Sequence, residues 1–114
     1  MAAGDVIITR DFVLGRGEQG CPRFVFGTVV LDGGNPTPIA LANLLSAIDG
    51  CGATIEGSVA TGADPNQISV VINGTTLDIY AWKVTTGGAA GNPTEIASTD
   101  NARLVQWWAQ GPKK

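Results

Sequence analysis

The chain has 114 residues, 7 Lys+Arg against 10 Asp+Glu, and no His, which fits one domain spanning 1–114 with its own core. Charged residues make up only 15%, against roughly 25% in an average soluble domain. Without His there is no imidazole base, Ser-His-Asp triad or His-ligated metal, and a net charge of −3 lacks the basic patch on which nucleic-acid binding depends.

From the N-terminus, Met1–Asp5 has neither the basic nor the apolar region of a secretion signal, and no run reaches the roughly 18 apolar residues of a membrane span. A soluble protein with no membrane partner is expected, with short flexible arms at 1–4 and 111–114. Asp5–Val13 and Arg23–Leu31 are β-branched and aromatic runs joined by the Gly-rich stretch Gly15–Gly20. They read as a long-looped hairpin. Gly15-Arg16-Gly17 is followed by no Lys-Ser/Thr and completes no GxGxxG, so no nucleotide cofactor is implied.

Next, Leu41, Leu44, Leu45 and Ile48 follow the i, i+3, i+4, i+7 spacing of an amphipathic helix. Thr37 suits its cap, Pro38 its first turn and Gly50 its end, predicting one short helix over about 38–49. The alternative is an extended Pro38–Leu41 followed by an irregular link. Gly52–Val59, Gln67–Ile72, Thr75–Thr85 and Arg103–Gln110 complete about six strands, and Asn73-Gly74 supplies the two positive-φ positions of a type I′ hairpin. Residues 86–93, all small with no periodicity, read as an exposed mobile loop. The expected fold is mainly β: a small antiparallel β-sandwich or barrel with one short helix.

Cys21 and Cys51 lack a second Cys at metal-ligand spacing, so no metal site is implied, and they read as buried free thiols rather than a disulfide. The ten acidic residues fall largely at turns and strand ends, where capping explains them. No catalytic residue, metal ligand or cofactor-binding residue is assigned, and the chain reads as non-enzymatic.

The informative feature is that several strands are apolar on both faces. Phe24, Phe26 and Val30 back Val25, Val29 and Leu31; Tyr80, Trp82 and Val84 back Leu77, Ile79 and Ala81; Leu104 and Trp108 back Val105 and Trp107. One face of each strand can enter the core, and the other needs a cover. A second chain is the economical cover, making Phe24, Phe26, Tyr80, Trp82, Trp107 and Trp108 candidate interface residues. The alternative use of the tryptophans is a glycan platform, with Asp78, Gln106 and Gln110 as polar complement. Against it, the neighbours Trp107 and Trp108 point to opposite faces of a strand, so only one can join Trp82.

The segments GDVIITRDFVLGRGEQGCPRFVFGTVVLDG, ADPNQISVVINGTTLDIYAWK and NPTEIASTDNARLVQWWAQGPKK together resemble small virion structural proteins of tailed bacteriophages. The resemblance is carried best by the C-terminal third, with its YAWK strand, Asn-Pro-Thr loop, IAST turn and closing VxWWAxG strand. It implies a capsid decoration, or cement, protein bound to the major capsid protein on the outer shell. It also implies a homo-oligomer, trimer or dimer, within a virion assembled in the host cytoplasm. A tail, collar or fibre component is the neighbouring alternative.

Overall fold

A computed structural model describes residues 2–55, 65, 67–85, 94–98 and 102–114. Among the described residues there are eight strands: β1 (Val6–Val13), β2 (Pro22–Val30), β3 (Thr37–Ala40), β4 (Gly50–Ile55), β5 (Gln67–Asn73), β6 (Thr76–Thr85), β7 (Thr94–Ala97) and β8 (Leu104–Pro112). They form two antiparallel sheets. The first has the order β1-β2-β8-β4; in the second, β6 is flanked by β5 on one side and by β3 and β7 on the other. The architecture is a small β-sandwich, mainly β as expected; the six predicted strands are present as far as they are described, residues 56–59 of the predicted Gly52–Val59 strand lying outside the described residues, and β3 and β7 are added.

Strand alternation sorts the side chains. Val25 and Val29 of β2, with Val105, Trp107 and Ala109 of β8, face Ile39 of β3 and Leu77, Ile79 and Ala81 of β6, all buried in one cluster. Each Leu or Ile buried there contributes roughly 1.5–3 kcal/mol relative to leaving it in water.

The predicted helix over 38–49 is absent. Thr37 and Pro38 instead begin β3, which pairs with Leu77–Ile79 and the residue before them on β6. Thr37 is fully buried, its hydroxyl donating to Asp32 Oδ1 at 2.9 Å, and Pro38 occupies an edge strand, where a missing N–H is tolerated. Beyond Leu41 the chain makes a single turn, with Leu44 N and Leu45 N both donating to Leu41 O. It then leaves helical geometry because its remaining partners are distant in sequence. Ser46 N donates to Pro112 O and Asp49 N to Gln110 O. Leu41, Leu45 and Ile48 still reach the core, so the spacing marked the buried residues correctly and their backbone state wrongly.

Two smaller corrections concern turns and ends. Asn73 pairs with Thr76, so the β5–β6 loop is Gly74-Thr75, with Gly74 at φ +62°. A glycine at the first loop position is the type II′ placement rather than the predicted I′. Residues 111–114 are not a free arm. Gly111 is buried, Lys113 N donates to Cys21 O, Gly20 N donates to Lys113 O, and Lys114 N donates to Leu44 O. Cys21 and Cys51 are free thiols, half-buried rather than buried. The predicted loop at 86–93 lies outside the described residues.

Candidate functional site

The outer face of the first sheet is built in rows set by strand register. One row is polar, running Thr54 (β4), Gln106 (β8), Thr28 (β2), and ends on Ile7 (β1). The next runs Gly52, Trp108, Phe26, Arg10, and a third Gly50, Gln110, Phe24, Phe12. The two β4 positions in the aromatic rows are glycines for a packing reason. A Cβ on Gly52 would collide with the Trp108 indole at Nε1, and one on Gly50 would stand 2.9 Å from Gln110 Nε2. Both β8 side chains therefore lie across β4. Trp108 remains 38% exposed, so its ring is covered by Gly52 on one side and open to solvent elsewhere.

On the β1 side, Phe12 stacks on Phe24 with ring centroids 5.3 Å apart and on Phe26 at 6.0 Å, interplanar angles 18° and 20°. Such offset pairs contribute roughly 0.5–1.5 kcal/mol beyond burial. Phe12 is not marked by composition or periodicity as different from its neighbours. The signal that finds it is hairpin register, which sets it opposite Phe24. β1 is an edge strand with one extra residue at Thr9, where the register with β2 shifts, and the Thr9 hydroxyl donates to Phe26 O at 3.2 Å. Among the described residues, five of the eight exposed large hydrophobics lie on β1 or directly after it: Val6, Ile7, Ile8, Phe12 and Leu14.

Of the six candidate interface residues, the structure brings together Phe24, Phe26 and Trp108 on this face. Trp107 is a correction. It is 2% exposed and part of the core, with its indole beside Gly27, where a Cβ would stand 2.6 Å from Trp107 Cζ2 and would also meet the backbone carbonyl of Ile7. Its Nε1 is buried without an acceptor, a state that costs roughly 1–3 kcal/mol. Tyr80 and Trp82 lie on the outer face of the second sheet, stacked at 6.3 Å and 10°, with Trp82 Nε1 donating to Ser69 Oγ at 3.2 Å. The proposed glycan complement is divided in the same way. Asp78 shares Trp82's face and accepts from Asn73 Nδ2 at 3.2 Å, whereas Gln106 and Gln110 lie on the first sheet.

Two shallow depressions indent the outer face of the first sheet. The smaller, about 140 Å³, is lined by Phe26, Ala53, Thr54, Gln106, Trp107 and Trp108. The larger, about 270 Å³, adds Thr9, Arg10, Gly27 and Thr28 to the shared Phe26, Gln106 and Trp107. Arg10 is the one charged side chain among the outward positions in these rows.

Ionic chemistry is concentrated elsewhere. Arg23 Nε and Nη2 donate to the two Asp11 oxygens at 2.7 and 2.6 Å, and Nη1 donates to Leu44 O at 3.2 Å. The hydrogen bonds from Arg23 hold the Asp11 carboxyl below its ordinary range, and Asp11 in turn raises Arg23. Burial pushes the Cys51 thiol up, which disfavours the reactive thiolate. Among the described residues, no group of three or more Asp, Glu or Cys side chains is placed to hold a metal ion, and no helix is long and apolar enough to cross a membrane. No protein-family model, curated protein or solved structure matches the chain.

Proposed function

We propose that this chain is a non-enzymatic structural subunit of a virus particle, of the capsid-decoration type, which docks on the outer shell through β1 and the adjoining Phe12–Phe24–Phe26 stack. One observation carries the docking role: β1 leaves apolar side chains uncovered on both of its faces while its outer edge pairs with no described strand. A lone soluble domain gains nothing from that arrangement, because exposed strand edges with apolar side chains invite association. Covering the open half of each of the five side chains contributes about 1 kcal/mol per residue, half of a full burial. Several such contacts repeated over many copies stabilise a lattice without any tight single site.

The viral setting and the major capsid protein as partner rest on the sequence resemblance, and the low charge and absent His agree with a role that needs contact rather than catalysis. The test has two parts. Purified particles should contain the chain in hundreds of copies and shed their DNA at a lower temperature when it is stripped; a handful of copies per particle indicates the tail, collar or fibre position instead. Shells lacking the chain should rebind the native protein but not Ile8→Lys/Phe12→Lys, and equal rebinding by that variant overturns the role of β1.

A further inference from the structure

We infer that the β2–β8–β4 half of the outer face of the first sheet is a binding site for a pyranoside carrying a carboxylate, such as a uronic-acid terminus, centred on Trp108 and Gln106. This goes beyond shell docking: the site takes Thr9 and Arg10 from β1 and shares Phe26 with the docking stack, and it is tested on the isolated chain, where no shell competes for them.

Three features converge. First, glycine at position 52 lets the Trp108 indole lie across β4 while remaining 38% exposed, and a solvent-facing aromatic ring is the surface on which the C–H face of a sugar ring stacks. Second, Thr54, Gln106 and Thr28 stand in register across three strands directly beside Trp108 and Phe26. Their hydroxyls and amide supply donors and acceptors for the ring hydroxyls, an apolar wall with a few placed polar groups being the usual make-up of small-ligand sites. Third, the depressions of about 140 and 270 Å³ share Phe26, Gln106 and Trp107. Each is smaller than the roughly 300 Å³ at which drug-sized sites begin, so they fit one or two small rings.

Arg10 lines the larger depression and selects the charge. It has five fixed donors suited to a carboxylate, on a face where the other outward positions in the rows are neutral. On the second sheet the Trp82 indole N–H already donates to Ser69 Oγ, and Asp78 of the same face already accepts from Asn73 Nδ2.

The test is a titration of the full, isolated chain with methyl β-glucuronide and, separately, methyl β-glucoside, followed by the ¹⁵N indole and amide resonances. The glucuronide should shift the Trp108 indole and the Thr28 and Thr54 amides while leaving the Trp82 indole in place, and should bind roughly fivefold tighter than the glucoside. Arg10→Gln should erase that preference, and Trp108→Ala should abolish both responses while its remaining amide spectrum stays folded. No shift at Trp108 with either sugar, or equal shifts at Trp82, overturns the inference. Retention of the glucuronide preference in Arg10→Gln overturns the assignment of charge selection to Arg10. Because no shell is present, the outcome is independent of whether β1 docks on one.

Discussion

Across the first sheet the outward row Gly52–Trp108–Phe26–Arg10 places two open aromatic rings beside one cation, whereas the corresponding row of the second sheet, Pro38–Asp78–Val71, centres on a carboxylate that is only 8% exposed and held by Asn73. The second sheet's own aromatic pair, Tyr80 and Trp82, stacks on itself and satisfies its indole N–H within the chain. Both outer faces carry aromatic residues, and those of the first sheet adjoin two depressions and the edge strand β1. Aromatic content alone does not distinguish the two faces; the hydrogen bonding and packing around the rings do.

The two adjacent tryptophans, which belong to opposite faces of β8, should differ most on truncation. Trp107→Ala should cost about 3–5 kcal/mol, as large core truncations do, and Trp108→Ala less than about 1 kcal/mol, both read from urea unfolding midpoints. Equal costs would refute the division into core and open faces. The glycines beneath them give a smaller contrast. Gly27→Ala meets the Ile7 backbone carbonyl as well as the Trp107 ring and should destabilise by about 1–3 kcal/mol. Gly52→Ala meets only the far end of an exposed side chain that can rotate away, so its cost should stay below about 1 kcal/mol.

The smallest effect tests β1 itself, which the Asp11–Arg23 pair ties to β2. Folding holds the Asp11 carboxyl below its ordinary value of 3.8. Its contribution is therefore complete above that value and is lost as the pH falls through the lower, folded one. The side chains are 29% and 16% exposed, and a partly exposed pair contributes about 0.5–1 kcal/mol after screening. Asp11→Asn should cost that amount at pH 7 and progressively less as the pH falls below 3.8, and a cost unchanged across the acid range would show that the carboxylate is not its source.

Much of the β framework is legible in residue pattern. The six predicted strands, the β5–β6 hairpin and the burial of Leu41, Leu45 and Ile48 all follow from local chemistry, because alternation and turn residues act over a few positions. The missed elements share one cause. β3 has four residues and pairs with β6 from far along the chain, so its Pro-containing sequence shows no strand signal of its own. The absent helix fails for the same reason: Ser46 and Asp49 find their acceptors on β8, and distant partners outcompete a marginal helix whose stability would have come from packing alone.

For the candidate site, composition identified the residue types without their grouping. Doubly apolar strands pointed to an uncovered surface, and Phe24, Phe26 and Trp108 prove to share one. Trp107, Tyr80 and Trp82 do not join them, since face membership depends on which side of each strand meets the opposing sheet, and doubly apolar strands leave that choice open. Low charge, absent His and strand-rich patterning follow from residue identity and order, because each is local or additive along the chain. Which tryptophan became core, which lay open over a glycine, and which edge strand stayed uncovered were decided only by the packing of two sheets against each other, since that packing selects the inward face.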